Sequence, residues 1–148
     1  MSEAQPDWGV QPYLFFDGRC EEALEFYGRA LGAEVLFLMR YKDSPERAQP
    51  GNGPPGPENK VMHATVRIGQ AYILASDGRC TGKPEFRGFS LSLTVPTEEE
   101  AARLFAALAD GGKVGMQLTK TFFSPAFGMV ADRFGVSWMV MVRKEAGN

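Results

Sequence analysis

One histidine and two cysteines are spread through 148 residues, and that scarcity excludes a good deal. A catalytic zinc site takes three protein nitrogen, oxygen or sulfur ligands with one position open, and a single imidazole leaves such a site to be found elsewhere. Two thiols are too few for a disulfide framework, and they suit a cytosolic chain whose cysteines stay reduced. Nowhere does the chain approach the roughly 18 consecutive apolar residues of a spanning helix, so no membrane partner is expected. Charge of one sign is missing too: 16 basic and 18 acidic residues leave a net charge of -2 and a pI near 5.5, which excludes non-specific binding to nucleic acid. The opening "MSEAQPDWGVQP" is acidic and polar where a secretory leader is basic and then apolar, so the expected location is cytoplasmic.

The residues present describe a globular domain, with 44% hydrophobic and 23% charged side chains. "QPYLFFD" at residues 11–17 reads as a strand closed by an Asp-Gly turn. In "CEEALEFYGRALGAE" the apolar positions Ala23, Leu24, Tyr27, Ala30 and Leu31 fall on one face of a helix, with Glu21 and Glu22 in its first turn and Gly32 at its end. "EVLFLMRY" is a second strand. Residues 43–60 hold five prolines and three glycines and exclude regular structure. "VMHATVRIG" and "QAYILASD" then read as a hairpin turning at Gly69-Gln70, and "GFSLSLTVP" alternates as a half-buried strand. Thr97 with Glu100 signals the capped start of a second helix, which Gly111-Gly112 ends. "KVGMQLTKTFF", "FGMVADRFG" and "VSWMVMV" complete the series as strands.

The order is βαβββ twice. Moving Ala23, Leu24, Phe26, Tyr27, Ala30 and Leu31 by 78 positions lands on Ala101, Ala102, Leu104, Phe105, Leu108 and Ala109, so the two helices share an apolar pattern. The tetrapeptide "DGRC" also occurs twice, at residues 17–20 and 77–80, but 60 apart, and it does not mark equivalent points of the duplication. Asp-Gly is favoured turn chemistry at a strand end. Cys20, at a helix N-terminus, is also a candidate for a thiol of lowered pKa.

This tandem pair resembles the vicinal oxygen chelate superfamily of glyoxalases, bleomycin-resistance proteins and extradiol dioxygenases, and within it the PhnB-like branch. The matching segments are "PYLFFDGRCEEALEFYGRALGAE", "MHATVRIGQAYILASD", "GFSLSLTV" and "FGMVADRFGVSWMV", the last with Asp132, Phe134-Gly135-Val136 and Trp138. The resemblance implies a single α+β domain over residues 1–148 with units at about 11–78 and 88–143. Each unit would be a curved mixed half-sheet, and the pair would enclose a cup with helices outside. It also implies a homodimer, a small-molecule ligand and, in metal-dependent members, a divalent ion in the cup.

Carried onto this chain, the family's four metal positions fall at about Tyr13, within Leu74 to Ser76, at Phe89 or Ser90, and at Met139. None suits a hard or borderline divalent ion, so no metal is expected. His63 shares a strand face with Thr65 and Arg67, opposite Met62, Ala64, Val66 and Ile68. It is a candidate general acid or base, with Arg67 holding an anionic group, or else a histidine satisfied by a strand neighbour or a dimer contact. Strand parity adds Ser90, Ser92, Gln117 and Thr119 as polar ligand contacts, with Tyr13 and Met139 at the former metal positions. Phe122 and Phe123 form an aromatic-rich turn that either walls the pocket or packs a sheet edge. The leading expectation is a binder of small molecules without the usual metal. The alternative is a lyase or isomerase using His63. Ubiquinone-pathway methylation, a label often attached to this branch, is the third reading, but no Gly-rich strand-helix turn for a nucleotide cofactor is legible.

Overall fold

The computed structural model describes residues 7–45, 57–80 and 82–144. The interior of the Pro/Gly segment, read above as loop, falls outside them. The first unit consists of β1 (Tyr13–Phe15), α1 (Cys20–Leu31), β2 (Glu34–Arg40), a short 3-10 turn (Tyr41–Asp43), β3 (Val61–Ile68) and β4 (Ala71–Ser76). The second consists of β5 (Leu91–Val95), α2 (Glu98–Ala109), β6 (Lys113–Thr119), β7 (Phe127–Ala131) and β8 (Ser137–Val142). The fold is α+β, as expected. Among the described residues no helix is long and apolar enough to cross a membrane.

Two four-stranded sheets have the same order, β1-β4-β3-β2 and β5-β8-β7-β6. In each, the first and last strands of the unit pair in parallel and the remaining pairs are antiparallel. The repeat is close in detail. α1 and α2 are both 12 residues long and start 78 apart, and the register of β2 breaks between Val35 and Phe37 just as that of β6 breaks between Val114 and Met116. Such bulges bend the edge strand and deepen the curvature of its sheet.

Local chemistry explains the helix ends. Thr97 Oγ1 accepts the Glu100 amide at 3.1 Å, and Gly32 takes the left-handed conformation that a C-terminal stop requires. Arg19, which precedes α1, offers no side-chain cap. Asp77, at the end of β4, supplies it from a distance. Its Oδ1 accepts the Gly18 and Cys20 amides at 2.9 and 2.7 Å, and its Oδ2 accepts the Val61 amide at 2.7 Å. Because β1 and β4 are parallel neighbours, both DGRC segments leave the sheet at the same end, yet they do different work. Asp17 accepts, among the described residues, the Gly82 amide alone.

β6 stops at Thr119, short of the expected Phe123, because Thr121 Oγ1 accepts the Phe123 and Ser124 amides and turns the chain. β5 begins at Leu91, three residues later than expected, after Gly88 at φ +78.

The core lies between the sheets and the helices. Leu14, Phe16, Ala64, Val66, Ile73 and Ala75 face inward from the first sheet, and Val130, Trp138, Val140 and Val142 from the second. Each fully buried ring or branched chain contributes about 2 kcal/mol. Gly128 on β7 is required by closeness: a Cβ there would stand 2.8 Å from Phe105 Cε2 on α2. The units are locked together by Phe134, whose ring meets Phe16, Phe26 and Tyr27 edge-on or tilted. Arg19 lies over Phe134 and Arg133 over Phe26, one cation reaching across in each direction.

At the centre of the junction Asp132 is buried and takes four hydrogen bonds. Tyr27 Oη and Trp138 Nε1 donate to Oδ2 at 2.5 and 2.9 Å, and the Phe134 and Val136 amides donate to Oδ1. The segment around Asp132 and Trp138, the most distinctive in the sequence, is therefore the structural knot between the units.

Candidate functional site

With one side of each sheet committed to the core, the other side is left open. Across the first sheet, the pairings Phe37↔Thr65, Thr65↔Leu74 and Leu74↔Tyr13 place these four residues in one row. Across the second, Met116↔Met129, Met129↔Met139 and Met139↔Ser92 form the matching row. The first row is aromatic and hydroxylic; the second is a line of thioethers ending in a serine. Large apolar side chains stay exposed on both sheets, among them Phe15 at 53%, Phe37 at 48% and Met116 at 40%.

His63 stands next to the first row. Tyr13 Oη is 2.8 Å from its Nδ1, and Thr65 Oγ1 is 3.3 Å from its Nε2. The rings of Tyr13 and Phe37 lie at 5.7 and 6.1 Å, and Phe15 stacks on Tyr13 at 4.9 Å. Burial first, then Tyr41 and Cys20, raises the Tyr13 pKa, so the phenol keeps its proton. The His63 ring is thus held between a phenol at Nδ1 and a hydroxyl at Nε2.

The structure thus brings Tyr13, His63 and Thr65 together. Arg67 is further along β3, about 13 Å from His63 at strand spacing, and is paired with Glu34 at 2.9 Å. Ser90 lies before β5 and bonds to Ser137 Oγ at 2.7 Å, so it is Ser92 that shares a row with Met139. Gln117 sits on the bulged edge strand β6, and Thr119 pairs with Phe127. Phe123 packs against Phe127 at 5.1 Å. Phe122 is 90% exposed beside a hollow at the far end of the second sheet. The serines, Gln117, Thr119, Met139 and the two phenylalanines therefore belong to the second unit, and His63 to the first.

The donor set does not fit a divalent ion. Of the metal positions that the resemblance implies, Tyr13 pairs with Leu74, Met139 pairs with Ser92, and Phe89 and Ser90 precede β5; among the described residues no three His, Cys, Asp or Glu side chains gather as a metal site. Nor does the β1–α1 turn fit a nucleotide cofactor: its Gly18 and Cys20 amides, which would face a phosphate, are both held by Asp77. Cys20 departs from the expectation of a reactive thiol. It is fully buried beside the Asp77 carboxylate, and desolvation first, then that charge, pushes its pKa far upward. One feature went unforeseen in the sequence, the hollow beside Phe122, which depends on how three chain segments converge; the methionines of the second unit's strands are visible in the sequence, and cross-strand register sets three of them in one row.

Twinned sheets of this order, each packed against its own helix, define the glyoxalase-like fold. It is shared, at 14% identity and a TM-score of 0.61, with a glyoxylase/bleomycin resistance protein/dioxygenase domain from Frankia sp.. Residues 9–141 match the family described as 3-demethylubiquinone-9 3-methyltransferase, and the chain belongs to that family, the PhnB-like branch of the vicinal oxygen chelate superfamily. It is 40% identical to Protein YjdN of Escherichia coli over 92% of this chain and 96% of that one. Protein PA1353 of Pseudomonas aeruginosa is 38% identical, with a TM-score of 0.80 over 94% of this chain and 100% of that one. The PhnB protein of Bacillus cereus is 31% identical, with a TM-score of 0.75 over 91% and 99%.

Proposed function

We propose that this chain binds a small organic molecule on the open face of its first sheet, over the row Phe37, Thr65, Leu74 and Tyr13, without a metal. The observation that carries this reading is the hydrogen-bonded chain Tyr13–His63–Thr65 set in an exposed aromatic surface. Ligand pockets have this make-up, mostly apolar with a few placed polar groups. The facing wall is the methionine row of a second copy of the chain, in a homodimer: each sheet leaves an apolar face uncovered, and thioether side chains adapt to varied ligands.

A screen of aromatic and carbonyl compounds by NMR tests the proposal on wild type and His63→Ala, with light scattering to give the mass in solution. Expected are a dimer and saturable shifts at Tyr13, Thr65 and Leu74 that weaken in the variant. A monomer, or shifts confined to other residues, would overturn it.

One observation favours a second reading as a lyase or isomerase. The Tyr13 bond positions the His63 ring, as a general acid or base requires. Hydrogen exchange beside a carbonyl, followed in deuterium oxide and abolished by His63→Gln, would support it. Exchange equal in the variant would remove it. Methyl transfer, despite the family's description, finds no comparable support, because the strand–helix turn already spends its amides on Asp77.

A further inference from the structure

The two units, so alike elsewhere, differ at one matching place: the notch between the strand–helix turn and the ends of the neighbouring strands. In the first unit Gly18, Glu21, Arg40, Asn59, Lys60 and Asp77 line a hollow of about 370 Å³. Its charges are satisfied within the chain. Arg40 donates to both Glu21 oxygens at 3.1 and 2.8 Å and to the Asn59 carbonyl at 2.8 Å, and Lys60 donates to the Gly18 carbonyl at 2.9 Å. Asp77 is filled by three amides.

In the second unit the corresponding notch is a cavity of about 640 Å³, within the range of organic-ligand pockets. Lys120, Arg143 and Lys144 line it against one carboxylate, Glu98. None of the three cationic side chains has a hydrogen bond or ion pair to any described residue. The helix terminus is not the attraction, since Thr97 already caps α2, and Ser124 Oγ is committed to Ala126 and Val142. Phe122, also in the lining, is 90% exposed, yet it is held edge-on to Phe123 at 5.1 Å, which in turn rests on Phe127. Positive charge without an ion pair among the described residues thus adjoins a positioned, uncovered ring and an apolar floor at Pro125 and Val142.

We propose that this notch is a second binding site, separate from the open sheet face, and that it takes an aromatic carboxylate. The carboxylate pairs with Arg143 and Lys120, and the ring packs on Phe122.

The test is titration of 2-naphthoate, with 2-naphthamide as its neutral counterpart, followed by amide shifts in the full chain. Expected is saturable binding with shifts at Thr97, Phe122 and Arg143. Affinity should fall about tenfold in the Lys120→Glu/Arg143→Glu variant and for the amide, as two part-exposed charge pairs would give. Phe122→Ala should weaken binding about fivefold, as loss of one aromatic contact would. All variants lie on the surface, and their shift dispersion reports their folding. His63→Ala should bind as wild type does, which separates this site from the one proposed above. Binding unchanged in the charge variant, equal binding of the amide, shifts confined to Tyr13, Thr65 and Leu74, or no saturation would each overturn the proposal. An unchanged Phe122→Ala would overturn its aromatic part.

Discussion

Tyr27 on α1 donates a 2.5 Å hydrogen bond to Asp132, 105 residues further along the chain, and both groups are buried. The bond joins the helix of one unit to the β7–β8 turn of the other. The acceptor is a carboxylate that also holds Trp138 Nε1 and two amides, so the contact belongs to a fully satisfied network rather than to an isolated pair.

Tyr27→Phe removes one donor and leaves the carboxylate three. A loss of about 1–3 kcal/mol is expected in urea unfolding, the scale of a buried hydrogen bond to a charged group. Asp132→Asn should cost more, because its amide hydrogens would meet two donors, Tyr27 and Trp138. Equal stability of both variants with wild type would show that packing alone joins the units.

Asp77→Ala strands the Gly18, Cys20 and Val61 amides, which have no other side-chain partner among the described residues. A destabilisation of at least about 2 kcal/mol is expected, with faster amide exchange at the start of α1. Thr97→Ala, which removes one cap bond at a more exposed site, should cost about 1 kcal/mol. Reversal of that order would deny Asp77 its capping role.

The buried phenol of Tyr27 and thiol of Cys20 both have pKa values raised well above their ordinary 10.0 and 9.0, chiefly by burial. The folded state then holds protons that the unfolded state has released, so stability is full below pH 9 and falls as pH rises beyond it. Alkaline unfolding should begin near pH 9, and in Cys20→Ala nearer pH 10. A disulfide reagent at pH 8 should label the partly exposed Cys80 promptly and Cys20 only on unfolding. Prompt labelling of both thiols would contradict the burial of Cys20.

Divalent zinc, nickel or manganese should leave the thermal midpoint unchanged in protein made without a histidine tag, because Tyr13, Leu74, Ser90 and Met139 are poor ligands for such ions and no three His, Cys, Asp or Glu side chains gather among the described residues. A cation that stabilises wild type but not His63→Ala would overturn the reading of this face as free of metal.

Much of this was legible in the chain itself. Every strand and both helices lie where period and turn chemistry put them, since amphipathic patterning is a local consequence of which side chains must be buried. The errors fell at ends. The run to Phe123 reads as strand until Thr121 bonds back to its own turn, and Gly88 delays β5. The face carrying His63 followed from parity with Ala64 and Val66, both fully buried.

The sequence by itself determined the duplicated βαβββ order, the helix limits and the poverty of metal ligands, because each depends on residue identity and local periodicity. Tertiary structure alone decided that Tyr13 reaches His63 across 50 residues, that Asp77 caps a helix it does not precede, and that Asp132 is a joint between units. It also decided that Phe122 stands apart from His63, in a turn of the other unit. These relationships depend on strand register and on the packing of distant segments, and a cross-strand partner is fixed by three-dimensional pairing rather than by spacing along the chain.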